Sequence, residues 1–245
     1  MGYVVLKFIE GKYLESTLNG SLRFTRNEHF IELEKQDKER GIGDKYEGSW
    51  SSPFDTRNGD TEIYMAIEGG EPFQLKNAKG VNRFRYSAIK DMPVCCFTLL
   101  TLQQDFDFDE KLSRYILKEE IINDLIEQFK GRRMVIFDMG KLLDKFEVAC
   151  KKKQMSFSAN KVKYYDSKID KHPIKNKEFH QKPWKTLFYK DTYFSFQKEY
   201  RIVINVPHDD SFNFQLGDIR DIAKDFGVVS NNTLFPQIEV AKKID

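Results

Sequence analysis

The run Pro93-Val94-Cys95-Cys96-Phe97-Thr98-Leu99-Leu100 carries no charge and is rich in residues that favour extended backbone. Such a strand belongs in the middle of a sheet, covered on both faces, because neither side of it suits water. Working outward, Tyr3 to Ile9 and Leu22 to Thr25 read as strands on one flank. Ile63 to Ile67, Pro72 to Leu75 and Phe84 to Ser87 read as strands closer in. On the other flank lie Met134 to Phe137, Val162 to Asp166, Ser195 to Val206, and short strands near Phe212 to Leu216 and Ile238 to Val240. Helices are expected over Lys12 to Leu18, closed by Asn19-Gly20, and from Asn27 to about Lys35. Others are expected over Asp109 to Lys130 and Gly140 to Lys151, with a short helix or turn at Ile219 to Phe226. Strands and helices mix without a regular βαβ repeat. The expectation is one α+β domain over residues 1–245, with a mixed, mainly antiparallel sheet and flanking helices.

Composition excludes several classes. The chain of 245 residues has 40 Lys+Arg against 38 Asp+Glu, and 14% aromatic residues, too many for a charge-rich disordered chain. No run of about 18 apolar residues exists, so no membrane-spanning helix is expected. The start Met1-Gly2-Tyr3-Val4-Val5-Leu6-Lys7-Phe8 has neither the basic nor the apolar region of a signal peptide. Cys95, Cys96 and Cys150 form no framework and read as reduced thiols of a cytoplasmic protein. With His29, His172, His180 and His208 they give no zinc spacing, and no metal is expected.

Charge is unevenly placed. Residues 151–190 hold twelve lysines and three acids, a surplus of nine, so the remainder of the chain is net acidic. Phe157, Tyr164, Tyr165, Phe179, Trp184, Phe188 and Tyr189 are interleaved with them. Cations beside flat rings suit a phosphate backbone and unstacked bases, which makes Lys151, Lys152, Lys153, Lys161 and Lys163 candidates for contact with nucleic acid or an acidic protein surface. The segment has no Arg, which favours diffuse attraction over base-edge reading. A solvated lysine-rich loop would have the same composition. In Asp105-Phe106-Asp107-Phe108-Asp109-Glu110, alternate acids of an extended chain share a face and suit a hard cation. The preferred reading is that Asp109 and Glu110 open the next helix.

The polar stretch 37–60 is too long for an ordinary connection. Within it Arg40-Gly41-Ile42-Gly43-Asp44-Lys45-Tyr46-Glu47-Gly48 combines glycines, which allow close backbone approach, with charge from Arg40, Asp44 and Glu47. A plain glycine-rich turn is the alternative.

These motifs resemble a bacterial and phage domain family of unassigned function. Its N-G-x-L-x-F turn matches Asn19-Gly20-Ser21-Leu22-Arg23-Phe24, and its R-x-x-D-x-x-E-G loop is similar to Arg40 to Gly48. Its V-x-C-F strand matches Val94, Cys96 and Phe97, and its E-Y-R-I-V strand matches Glu199 to Val203. The resemblance covers roughly residues 3 to 206, lacks the family's Met-Trp-Tyr helix, and brings no activity with it.

A second likeness is to ADP-ribosyltransferases. Gln197-Lys198-Glu199, if on a strand, projects an amide and a carboxylate to one side. The likeness implies NAD as cofactor, with Glu199 on the nicotinamide ribose and Gln197 orienting the acceptor. It implies Lys7, in place of the family's His or Arg, Arg23 and Tyr13 around the dinucleotide, with Arg40, Asp44 and Glu47 from the loop. On the alternative, Glu199 and Arg201 are an ordinary same-face ion pair at the surface, and the protein is a non-catalytic nucleic-acid- or protein-binding module in phage–host conflict.

Overall fold

The computed structural model describes residues 2–36, 44–59 and 62–239. The fold is α+β, with a mixed, mainly antiparallel set of sheets and several helices. Contacts cluster in two compact units, each discontinuous in sequence. The first is built from residues 1–25, 93–161 and 196–245, the second from 26–92 and 162–195.

The first unit holds an eight-stranded sheet: β1 (Tyr3–Ile9), β2 (Ser21–Arg26), β3 (Pro93–Thr101), β4 (Arg133–Phe137), β5 (Phe157–Lys161), β6 (Glu199–Ile204), β7 (Phe212–Gln215) and β8 (Ala223–Val228). Their order is β5-β6-β3-β1-β4-β8, while β2 pairs with β3 and β7. The uncharged β3 is interior, as its composition requires, between β1 and β6. The period-two alternation of β1 shows why both faces are dry. Val5 and Ile9 pack with Phe97, Phe137 and Ile202 beneath Leu142 and Phe146 of the helix Met139–Lys152. Val4, Leu6 and Phe8 pack with Leu100 and Met134 beneath Ile121 and Leu125 of the helix Glu119–Phe129. Phe8 stacks on Phe129 with centroids 3.9 Å apart. Asp138 caps the first of these helices, its carboxylate accepting the Lys141 N–H.

Several expectations are corrected here. Asp109 to Lys130 is not one helix. Phe106–Asp109 pairs with Arg114–Leu117 as a hairpin, and the helix begins only at Glu119. Asp109 accepts the N–H groups of Lys111 and Leu112 in that hairpin turn, so it opens no helix. Asp105 ends the short helix Leu102–Asp105, buried against Lys198 at 2.7 Å, and shares no strand face with Asp107 and Asp109. The segment Ile219 to Phe226 opens with the turn that was one of its two readings, over 220–222, but continues as strand β8, Ala223–Val228, whose Asp225 pairs with Arg133 of β4. Among the described residues no helix is long and apolar enough to cross a membrane.

The second unit is an assembly of small pieces: the helix Asn27–Gln36, the hairpin Trp50–Asp55 with Lys79–Phe84, and a parallel pair of Lys163–Tyr165 with Tyr189–Asp191. Aromatic rings form its core. Trp50 stacks on Phe179 with centroids 5.7 Å apart, and its indole N–H donates to the Ile174 carbonyl at 2.8 Å. The Thr186 hydroxyl donates to the Gly48 carbonyl at 2.8 Å, another tie between the unit's two segments. Gly48 has φ of +70°, and a Cβ there would lie 2.6 Å from Ile89 Cγ2. Both facts demand glycine.

Candidate functional site

The ribosyltransferase cradle does not assemble in the first unit. Gln197 ends a 3-10 helix, Thr192–Gln197, and Lys198 has φ of +45°, so β6 starts only at Glu199. The expected Q-x-E strand face is absent because the positive φ at its middle residue breaks the extended chain. The registers Leu6 to Thr98 and Thr98 to Glu199 place Leu6 and Glu199 on one face of the sheet. Lys7, one residue on, faces the other side. There its ammonium donates to the Cys96 carbonyl at 2.8 Å and lies 4.8 Å from the Phe97 ring centroid. Glu199 accepts a hydrogen bond from Arg201, the same-face pair of the alternative, but the pair is largely buried rather than at the surface. Tyr13 is half-exposed beside Lys12, and Arg23 is an exposed residue of β2. Lys7 and Glu199 therefore lie on opposite faces of the sheet and do not converge.

The lysines are likewise dispersed. Lys151, Lys152 and Lys153 close the helix Met139–Lys152, where cations complement the C-terminal end, and Lys151 pairs with Glu147. Lys161 and Lys163 are exposed on short strands, in the first and second unit respectively. Of the aromatics expected to stack on bases, Phe179 and Phe188 are buried and the other five are half-buried, with Tyr165 packed on His172.

The second unit, by contrast, contains a built cleft of about 130 Å³. Of the loop residues, Arg40 lies outside the described residues, Asp44 lines the cleft, and Glu47 sits behind it. Asp44 is shaped by its own turn, its carboxylate accepting the Tyr46 N–H at 2.9 Å. Glu47, 1% exposed, pairs at 3.3 Å with Lys190, 3% exposed, and the Lys190 ammonium also lies 4.7 Å from the Phe194 ring centroid. A buried pair of this kind holds together only when both charges are present.

Around that floor the walls are rings, hydroxyls and cations. The Tyr165 and Ser51 hydroxyls are 2.8 Å apart, and burial raises the Tyr165 pKa. The Ser167 hydroxyl donates to Asp191 at 2.6 Å. Burial works against the Asp191 carboxylate, but bonds from Ser167 and the Tyr193 N–H outweigh it and hold its pKa low. Arg83 lies 4.0 Å over the Tyr46 ring. Its Nε is buried without an acceptor, and among the described residues its guanidinium has no carboxylate partner. Lys168 also lines the cleft without a carboxylate partner among them. Both cleft carboxylates accept hydrogen bonds, while Arg83 and Lys168 form no salt bridge among the described residues.

Behind the cleft, His172 is 5% exposed. Its backbone N–H donates to the Ser51 carbonyl, and its Nδ1 accepts the Ile174 N–H at 3.0 Å. The ring proton therefore belongs on Nε2, which meets no acceptor among the described residues. Burial lowers the His172 pKa to about 4. Among the described residues no group of three or more His, Cys, Asp or Glu side chains has metal-holding geometry.

The sequence pointed to Asp44 and Glu47 but missed Arg83, Ser167, Lys190 and Asp191 as their neighbours. Arg83 stands in an ordinary Phe84-flanked strand, and no local pattern marks it. Comparison of the chain with protein-family models, curated proteins and solved structures returns no match.

Proposed function

We propose that the protein is a non-catalytic binding module whose second unit takes a nucleotide, holding its phosphate with Arg83 and its base against the cleft tyrosines. The observation that carries this is Arg83: a planar set of donors, braced on Tyr46 and lining the cleft, with no acceptor of its own among the described residues. Arginine in that state suits the planar oxygens of a phosphate. Lys168 adds charge, and Tyr193, 44% exposed, offers a ring face. This keeps the nucleic-acid side of the sequence reading but moves it from Lys151, Lys152, Lys153, Lys161 and Lys163 to a pocket that Lys168 of the same segment lines.

Isothermal titration with AMP, adenosine and inorganic phosphate tests it. AMP binds more tightly than either part alone, because the site reads both. Arg83→Gln keeps a polar side chain but removes the charge, and weakens AMP by about tenfold or more, the worth of one charge-assisted hydrogen bond. Arg83→Lys recovers only part of the loss, since a point charge does not reproduce the fork. AMP affinity unchanged in Arg83→Gln, or no AMP binding to the wild type, overturns the proposal.

A further inference from the structure

A separate feature of the second unit is the hairpin in which Tyr64–Met65 pairs with Phe73–Gln74, closed by the Leu75 N–H on the Ile63 carbonyl. Tyr64, Met65, Ile67 and Phe73 are between 46% and 73% exposed. An isolated two-stranded pair is marginal in water, and four large apolar side chains on one hairpin mark a contact surface. Its charges are all acidic: Glu62, Glu68 and Glu71, with no base before Lys76. That sign opposes an anionic membrane or a nucleic acid and suits a cationic, apolar receptor.

The first unit carries a surface of that description. Between the helix Met139–Lys152 and β7 lies a groove of about 460 Å³, floored by Val148, Ala149 and Leu216. Lys152 and Lys153 border it against one acid, Asp144. Neither lysine has a carboxylate partner among the described residues, and Val148 is 55% exposed. Apolar hairpin with glutamates, apolar groove with lysines: the two match in charge and in kind.

We propose that the hairpin of one copy docks in the helix–β7 groove of a second copy, with Glu68 and Glu71 against Lys152 and Lys153. The two surfaces differ, so the contact is head-to-tail and builds rings or open chains rather than a symmetric pair. Sedimentation velocity on the whole chain, from micromolar to submillimolar concentration, tests it. The expected result is a mass that rises with concentration and falls with added salt. The double variants Glu68→Lys with Glu71→Lys, and Lys152→Glu with Lys153→Glu, each weaken self-association by about tenfold or more. Because all four side chains are exposed, both variants keep the wild-type circular dichroism. Mixed together, the two charge-reversed variants associate again. A chain that is monomeric throughout that range overturns the proposal. So does self-association untouched by either reversal, or a mixture that fails to recover it.

Discussion

His172 makes the second unit's stability a function of pH. Its neutral ring is buried against Trp50, Tyr165 and Tyr189, and burial lowers its pKa from 6.5 to about 4. The folded state therefore refuses a proton that the unfolded chain accepts. Above the unfolded value neither state is protonated and stability is full. As pH falls below about 6.5 the unfolded chain gains the proton first, and stability drops until the folded ring titrates near pH 4. The whole span is worth about 3 kcal/mol, of which about 2 kcal/mol is lost between about pH 7.5 and about pH 5. Both tryptophans, Trp50 and Trp184, belong to this unit, so urea unfolding followed by tryptophan fluorescence reports on it. His172→Gln retains an acceptor for the Ile174 N–H but cannot titrate. The difference between wild type and variant should shrink by about 2 kcal/mol across that window. A wild type that loses no more stability than His172→Gln would refute the buried, neutral ring.

Three further outcomes follow from the packing. Glu47→Leu or Lys190→Met alone strands a buried charge and costs about 3–5 kcal/mol in urea unfolding, whereas the double variant costs much less than the sum of the two. Gly48→Ala forces a side chain into positive φ and against Ile89, and should lower the melting temperature by an amount equivalent to about 1–3 kcal/mol. Asp138→Ala removes the cap of the helix Met139–Lys152 and costs about 1 kcal/mol, read by thermal unfolding.

The parts of the fold legible in the sequence are those where one local pattern dominates. Strand β3 is uncharged, and the helix Met139–Lys152 repeats Leu142, Phe146 and Cys150 at helical spacing, so both were placed within a residue or two. The stretch from Asp109 to Lys130 misled because Leu112 and Ile116 of a hairpin happen to continue the apolar spacing of Ile121 and Leu125. Strand β8, Ala-Lys-Asp-Phe-Gly-Val, looks like a turn in isolation and is extended through pairing with β4. The candidate site divides in the same way. A glycine-rich loop with acids is visible locally, and it led to Asp44 and Glu47. That Glu47 meets Lys190, or that Arg83 meets neither acid, is a fact of tertiary contact that no window of neighbouring residues contains.

The discontinuity of the second unit also sets an order of events during synthesis. Residues 26–92 leave the ribosome well before 162–195 exist, with sixty-nine residues of the first unit between them. Throughout that interval Trp50 lacks Phe179, the Gly48 carbonyl lacks the Thr186 hydroxyl, and Glu47 lacks the ammonium of Lys190. A carboxylate so placed remains hydrated until its counter-charge arrives, and the loop around Gly48 cannot close over it. The aromatic core of the second unit is thus incomplete until its second segment has been made.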